Sequence, residues 1–219
     1  MKKILVINPN SNPDVTHGMA EALAPLQIEH RAEIECMTLE EGPFGIESRH
    51  DAESVVLPLR RVVLDRTDAD AFVIACYSDP GLALCREATV KPVFGIQESG
   101  LFAALQRGNR VGVIALGMAS IKRHLPYIRA LGLDSRLAGE RPLHLSVAES
   151  EAASAFPRIK DVARTLVEDD MADTLLMGCA GMVGHVERLE DALGVPVTEP
   201  TRAATVQALG AVLLQAPTA

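Results

Sequence analysis

The sequence predicts an α/β protein with two pseudo-symmetric lobes, each a parallel sheet flanked by helices, and with the active site in the cleft between them. Short apolar runs typical of buried strands alternate along the chain with helical patterns, an order that forms parallel sheets. One motif occurs twice: residues 69–78 and 172–181 both begin with Ala-Asp and place a cysteine six residues after the aspartate. The opening strand, 4–7, matches 111–114 in the same way. We therefore expect an N-terminal lobe at 1–97 and a C-terminal lobe at 98–219.

Turn and capping residues define the elements. Asn12 is a good N-cap for a helix whose first residue is Pro13, and Pro58 is expected to kink its helix. Gly132 and Gly194 are typical of helix ends. The predicted strands are 4–7, 34–39, 72–75, 93–96, 111–116, 143–147, the run that ends at Cys179, and 196–199. The predicted helices are 13–26, 51–66, 82–88, 99–108, 121–132, 159–166, 183–193 and 201–215. The last of them is a candidate to pack back onto the N-terminal lobe.

Composition narrows the class of protein. The 219 residues are 48% apolar and 23% charged, which is ordinary for a globular protein with a substantial core. A net charge of −8 without a basic run argues against nucleic acid and anionic membranes as partners. No apolar stretch approaches the ~18 residues of a membrane span, and the run after Lys3 is too short for a signal peptide. We expect a cytoplasmic protein whose four cysteines stay reduced.

Cys76 and Cys179 are the candidate catalytic residues. Each ends a predicted parallel strand before a helix, at the sheet edge where α/β proteins bind ligands. The helix amides and dipole are expected to favour a thiolate there. A free thiol titrates near ~8.5, so either cysteine could act as acid or base. Two thiols facing one cleft suit proton transfer at a carbon acid, in which one thiolate removes the hydrogen beside a carbonyl and the other thiol protonates the opposite face.

The cysteines and Asp79 also have structural interpretations. A single buried cysteine is usually a small apolar core residue, but placement at two equivalent strand ends favours catalysis. Cys36, within a strand, and Cys85, within a helix, are interpreted as core. Asp79 precedes Pro80 and is interpreted as the N-cap of the helix that follows rather than as a base.

The remaining polar residues give weaker signals. Asn10, Ser11 and Ser78 are either ligand contacts or ordinary turn residues. His185 is interpreted as an exposed helix residue. The histidines lack metal-ligand spacing, and the chain has neither a dinucleotide fingerprint nor a phosphate-binding P-loop, so no metal and no cofactor are expected.

Four motifs then resemble a known family. They are Ile-Asn-Pro-Asn-Ser at 7–11, Gly-Pro-Phe-Gly-Ile-Glu-Ser at 42–48, Ala-Cys-Tyr-Ser-Asp-Pro-Gly-Leu at 75–82 and Gly-Cys-Ala-Gly-Met at 178–182. In their order along nearly the whole chain they resemble the aspartate/glutamate racemase superfamily and, within it, the hydantoin racemase and allantoin racemase group. The resemblance implies cofactor-free, two-base catalysis by Cys76 and Cys179 on a substrate held between the lobes.

The resemblance also implies the substrate contacts. They are Asn10, Ile46, Gly117, Met118 and the amides after each cysteine, which belong to Tyr77, Ser78, Ala180 and Gly181. Amino-acid racemases of the superfamily usually carry Asn-Thr after the cysteine to hold an α-carboxylate. The Tyr-Ser and Ala-Gly pairs found here suit a neutral cyclic amide better.

The leading hypothesis is therefore racemisation at C5 of a 5-substituted hydantoin, a carbon between a carbonyl and a ring nitrogen. Allantoin is a close alternative substrate, and aspartate or glutamate a more distant one. The alternative from another class is a small-ligand binding or sensing protein on the same scaffold. The expected partner is a small molecule, a cyclic ureide or an amino-acid derivative, and we expect a homo-oligomer.

Overall fold

The computed structural model describes residues 1–214, and within them the chain forms two four-stranded parallel sheets. The strands are β1 (Lys2–Asn8), β2 (Ala32–Thr38), β3 (Ala71–Ile74), β4 (Val93–Gly95), β5 (Val111–Ala115), β6 (Leu137–Pro142), β7 (Thr174–Met177) and β8 (Val197–Thr198). The α-helices are α1 (Pro13–Leu23), α2 (Arg49–Ser54), α3 (Val56–Asp65), α4 (Leu82–Ala88), α5 (Ile96–Leu105), α6 (Met118–Ala130), α7 (Val147–Glu151), α8 (Phe156–Glu168), α9 (Val186–Leu193) and α10 (Pro200–Leu214). Short 3₁₀ helices cover Ala24–Leu26, Asp134–Arg136, Ala153–Ala155 and Ala180–His185.

The two sheets have the same strand order, which confirms the predicted two-lobe α/β fold. The orders are β2-β1-β3-β4 and β6-β5-β7-β8. Equivalent Cα partners are Ile4–Ala71 and Phe72–Val93 in the first sheet, and Val111–Thr174 and Leu175–Val197 in the second. The register of the central strands therefore follows the sequence repeat. The last strand slips by one residue between the two halves.

Buried apolar residues pack on both faces of the central strands. All residues of β3 and β7 are buried, as expected for parallel strands with helices on both sides. One apolar cluster runs through both lobes and includes Val73 and Leu176. A second cluster lies on the other face of the first sheet, around Phe72 and Leu59. Within residues 1–214, no helix is both long and apolar enough to cross a membrane.

Helices α5 and α10 lie between the lobes and pack against each other. α10, the last helix of the described residues, contacts β1, β3 and β4 of the first sheet, and α5 contacts β4 of the first sheet as well as β5, β7 and β8 of the second. The lobe boundary predicted between residues 97 and 98 falls within α5. The two sheets are therefore joined by two apolar helices that pack between them.

Several predicted element bounds were wrong. The single helix at 51–66 is two helices, α2 and α3, separated at Val55, because Pro58 has no N–H to bond the carbonyl of Ser54. The strand predicted at 143–147 is β6, at Leu137–Pro142. The helix predicted from 99 begins at Ile96, and the one predicted after an exit loop at 117–120 begins at Met118. The predicted end of the last helix, Gln215, lies outside the described residues.

Candidate active site

The fold brings the two candidate cysteines to one cavity. In each sheet, one further backbone hydrogen bond continues the pairing of the two central strands by one residue. Ala75 N donates to Ile7 O at 2.9 Å in the first lobe, and Gly178 N donates to Ile114 O at 2.8 Å in the second. The cysteines come next, and both line a cavity of about 30 Å³ between the carboxyl ends of the sheets.

The loop after Cys76 is a tight turn held by Asp79. The carbonyl of Cys76 accepts hydrogen bonds from the amides of Ser78 at 2.8 Å and of Asp79 at 2.9 Å. Asp79 has a left-handed φ of +44°, and its buried carboxylate accepts from the amides of Gln97 and Glu98, both at 2.9 Å. The interpretation of Asp79 as N-cap of the next helix was therefore wrong, because it caps α5 instead.

The position of Cys179 depends on the glycine before it. A Cβ at Gly178 would lie 2.6 Å from Ile114 O, closer than side chains pack. After Cys179 the chain enters the 3₁₀ helix Ala180–His185 rather than an α-helix. His185, expected to be exposed, is buried within it, and Nε2 lies 3.1 Å from Ser150 O. This prediction was wrong because the 3₁₀ segment packs against α7.

Burial dominates the electrostatics of both thiols. The pKa of Cys76 is raised to about 12, chiefly by burial and also by the neighbouring Cys179, while the Arg123 guanidinium and the Ser78 backbone oppose the rise. Burial also raises the pKa of Cys179 to about 11, opposed by hydrogen bonding from the Gly181 backbone. The expectation that the helix ends would favour a thiolate is outweighed by desolvation.

Most of the predicted contact residues meet at this cavity. Its lining comprises Asn10, Val15, Ile46, Ala75, Cys76, Tyr77, Ser78, Leu116, Ser120, Arg123, His124, Val147, Gly178, Cys179, Ala180 and Gly181. Ser11, Gly117 and Met118 do not line it. Ser11 donates its amide to Pro43 O at 2.9 Å and shapes the loop, Gly117 precedes α6, and the Met118 side chain is half exposed.

Asn10 is oriented by a buried polar network. Its Oδ1 accepts hydrogen bonds from Asn8 Nδ2 at 2.9 Å and from Asn12 N at 3.0 Å. Asn8 Nδ2 also donates to Thr16 Oγ1 at 3.0 Å. Because Oδ1 is occupied from two sides, the group that Asn10 can offer to a ligand is its amide donor.

Arg123 is a cavity residue that sequence reasoning missed. It lies in α6 of the second lobe but reaches the first, donating to the carbonyl of Glu47 at 2.8 Å and lying 3.4 Å from Ser78 Oγ. Within the described residues no carboxylate lies within ion-pair distance of it. The missed signal was that α6 starts at Met118, which places Ser120 and Arg123 on one helix face at the sheet edge.

A buried histidine beside the cavity was missed as well. His124 contacts Glu140 through Nδ1, and its ring packs edge-on against Tyr77 with centroids 4.9 Å apart. Glu140 lies in β6, the strand whose position was predicted wrongly. No residue pattern in the sequence connects these three positions.

The lining therefore combines two thiols, hydrogen-bond donors and aliphatic side chains. Arg123, Asn10 and the backbone amides after the cysteines provide donors, and none of the lining residues is an aspartate or glutamate. The aliphatic groups are Val15, Ile46, Leu116 and Val147. Such a site favours a ligand with acceptor oxygens and no free ammonium group.

Comparison with known proteins gives the family and the fold. The family model described as Asp/Glu/Hydantoin racemase matches residues 4–208. The chain is 33% identical over 209 residues to the hydantoin racemase of Paenarthrobacter aurescens, covering 92% of this chain and 87% of that protein. The allantoin racemase structure from Pseudomonas fluorescens matches with a TM-score of 0.90 and 26% identity, over 97% of this chain and 91% of that one. The allantoin racemase from Klebsiella pneumoniae shares the fold, with a TM-score of 0.92 and 23% identity over 98% and 89% of the two chains.

Proposed function

The chain belongs to the Asp/Glu/hydantoin racemase family, and from this premise we propose that it racemises 5-substituted hydantoins with Cys76 and Cys179 as acid and base and without a cofactor. One observation carries the proposal. Two cysteines at equivalent ends of two equivalent strands line a single cavity between the lobes.

The reaction follows from one thiolate and one thiol on opposite sides of a carbon acid. The thiolate takes the proton from C5, and the electron pair of the C–H bond moves onto the C4 carbonyl to form an enolate. The opposing thiol then gives its proton to the other face of C5. After one turnover the two sulfurs have exchanged their protonation states, so the next substrate of opposite hand restores them.

The raised pKa values of the thiols fit this chemistry. A buried thiolate is scarce at neutral pH, but it is a stronger base towards a weakly acidic C–H than a solvated one. A negative charge on one sulfur also disfavours ionisation of the other, since Cys179 raises the pKa of Cys76. The two thiols are therefore not expected to ionise together, and whenever one of them is ionised the pair holds one base and one acid.

The lining favours a hydantoin over a free amino acid. The ammonium group of aspartate or glutamate would meet no carboxylate in this cavity, whereas the carbonyl oxygens of a hydantoin would meet the donors of Arg123, Asn10 and the loop amides. Aliphatic side chains such as Ile46 and Val147 suit an apolar substituent at C5. Allantoin, with a polar ureido substituent on the same ring, is the second candidate, supported by the likeness to allantoin racemase structures.

Polarimetry of separate enantiomers tests this proposal. L-enantiomers of hydantoins with aliphatic and aromatic substituents, (S)-allantoin, L-aspartate and L-glutamate are each incubated with the enzyme. We expect loss of optical rotation with hydantoins first, allantoin second and neither amino acid. Binding of a hydantoin without any loss of rotation would instead support a binding or sensing protein.

Cellular context completes the proposal. The proposal includes a cytoplasmic location, a reducing compartment in which cysteines stay as thiols. It also includes assembly of the chain into a homo-oligomer.

A further inference from the structure

His124 is a cavity residue whose role the two-thiol mechanism does not explain. It lies in the second turn of α6, is 1% exposed, and lines the cavity. Nδ1 contacts Oε1 of Glu140, and the ring packs edge-on against Tyr77, the residue that follows Cys76. The backbone carbonyl of His124 accepts a 3.3 Å hydrogen bond from Gln97 Nε2. The ring is thus held by β6 and by the Cys76 loop, and α5 holds the backbone of the same residue.

The pairing with Glu140 determines where the protons of His124 lie. The two side chains are 2% and 1% exposed, and a lone charge in such a place is costly, so the pair is expected to carry no net charge. Two proton arrangements meet this condition. Either a carboxylate faces an imidazolium, or a carboxylic acid donates its hydrogen to Nδ1 of a neutral ring. In both of them the second ring nitrogen, Nε2, carries a hydrogen.

The Nε2 hydrogen is available to a ligand. Nε2 has no hydrogen-bond partner among residues 1–214. It is not among the side-chain atoms that are both fully buried and without a partner, a group that includes Tyr77 Oη and Glu140 Oε2. His124 lines the cavity, and Nδ1 is already paired with Glu140, so Nε2 is the ring nitrogen left for a ligand in that space.

We propose that His124, held by Glu140, donates a hydrogen bond from Nε2 to the substrate carbonyl oxygen that becomes the enolate oxygen. The inference rests on the proposed racemase function and adds a third contributor to it. His124 would touch the reacting group and be a catalytic residue, whereas Glu140 would act through it as a positioning residue. The hydrogen stays on Nε2 throughout, so the proton inventory of the two thiols is unchanged.

Variants of His124 test the donor against a packing role. His124→Phe keeps a ring against Tyr77 but removes the donor, and should lower kcat/KM about 10²–10³-fold, mainly through kcat. His124→Gln offers an amide N–H close to the position of Nε2 and should stay within about tenfold of the wild type. The matched control is His185→Phe, a buried histidine outside the cavity lining. It should lower Tm while kcat/KM stays within about threefold.

Deuterium exchange in heavy water distinguishes the role of His124 from that of the two thiols. Deuterium exchange and racemisation share one enolate, so His124→Phe should slow both by the same factor. Retention of wild-type activity by His124→Phe, or an equal loss in His124→Gln, would overturn the inference. Failure of the wild type to racemise any hydantoin would instead overturn the proposed function.

A measurement on the wild-type protein does not depend on activity or on the folding of a variant. With ¹⁵N-labelled histidine, NMR should show a hydrogen on Nε2 of His124 at neutral pH, assigned by its absence from His124→Gln. Adding a racemic hydantoin should shift that signal. A bare Nε2 would contradict the inference even in an active enzyme.

Discussion

Cys76 and Cys179 carry the same chemical group in different surroundings. Arg123 and the Ser78 backbone lower the pKa of Cys76, whereas the Gly181 backbone and the Ser150 hydroxyl lower that of Cys179. At both sites these effects are smaller than the effect of burial. Each sulfur thus has its own donors for the moment when it carries the negative charge, and the two half-reactions need not be equally fast.

The pH dependence of the rate should reflect the raised pKa values of the two thiols. Catalysis needs one thiolate, and burial raises the pKa values to about 11 for Cys179 and about 12 for Cys76. We expect kcat/KM to rise with pH, up to about tenfold per unit, beyond pH ~8.5, where an ordinary thiol would already level off. A plateau below that pH would contradict the shift.

Arg123→Gln tests the cationic neighbour of Cys76. Because the guanidinium lowers the pKa of Cys76, its removal should move the rising limb of the pH profile to higher pH and slow the reaction at neutrality. The matched control is Arg129→Gln on the same helix, an exposed arginine that pairs with Asp134. Indistinguishable profiles for the two variants would rule out this role of Arg123.

At the scale of elements, the strand-to-loop junctions position the sulfurs. Ala75 and Gly178 are equivalent, but only the second comes so close to the neighbouring strand that a side chain is excluded. Asp79 and Glu199 cap the corresponding helices α5 and α10, although they do not occupy equivalent positions in the repeat. Both carboxylates accept hydrogen bonds from the second and third residues of a helix, Asp79 across to α5 and Glu199 onto its own helix α10. Only the first of these caps ties a helix to a cysteine loop.

Gly178→Ala should displace Cys179. The new Cβ would lie 2.6 Å from Ile114 O, and relief of that overlap costs about 1–3 kcal/mol of unfolding free energy. We expect a lower Tm and a reduced kcat. Gly184→Ala, in the same 3₁₀ helix but with open space around its Cβ, should change neither. Equal Tm values for the two variants would contradict the close approach.

Asp79 should make stability depend on pH. Burial raises its pKa to about 7, so between about pH 4 and 7 the folded protein keeps a proton that the unfolded chain has released. This contribution to stability is complete below about pH 4 and is lost as the pH rises through 7. The free energy of unfolding of the wild type minus that of Asp79→Asn should therefore fall by up to about 1.4 kcal/mol per pH unit in this range. Parallel denaturation curves for the two proteins would contradict the raised pKa.

The sequence was sufficient where a local pattern determines structure. The Ala-Asp…Cys repeat determines strand pairing and the positions of both thiols, because parallel strands with equal lengths and turns end at the same edge. It was insufficient for β6, an edge strand whose half-buried residues carry no apolar pattern, whereas the alternating apolar residues at 143–147 lie mostly in a loop. The Asp79 cap and the pairing of His124 with Glu140 join distant segments. Such contacts follow from packing and leave no local signature.

At the scale of the whole molecule, the cleft is closed by contacts between the lobes. Glu47 accepts from Arg123 through its main-chain oxygen at 2.8 Å and from Val147 N through Oε1 at 3.0 Å. The cavity behind these contacts, about 30 Å³, has room for one or two water molecules but not for a hydantoin ring. We expect the lobes or their loops to separate when substrate enters.

Glu47→Ala should loosen this contact. Removing the carboxylate leaves the Val147 amide without its acceptor, which weakens the closed form by about 1–3 kcal/mol. We expect faster hydrogen exchange at Val147 and a higher KM. Glu53→Ala serves as control, since that exposed side chain pairs only with Arg49 among the described residues. Unchanged exchange at Val147 would show that Glu47 does not hold the lobes together.

The claim that the two thiols act from opposite faces of C5 is tested most directly by deuterium exchange in heavy water. A serine hydroxyl is a far poorer base than a thiolate at neutral pH, so Cys76→Ser and Cys179→Ser should each keep one working base. Each variant should exchange deuterium into one enantiomer of a hydantoin much faster than into the other, without efficient inversion, and the two variants should prefer opposite enantiomers. Cys36→Ser should behave as the wild type. If Cys76→Ser and Cys179→Ser both exchange the same enantiomer, the thiols do not flank the reacting carbon and the two-base mechanism is wrong.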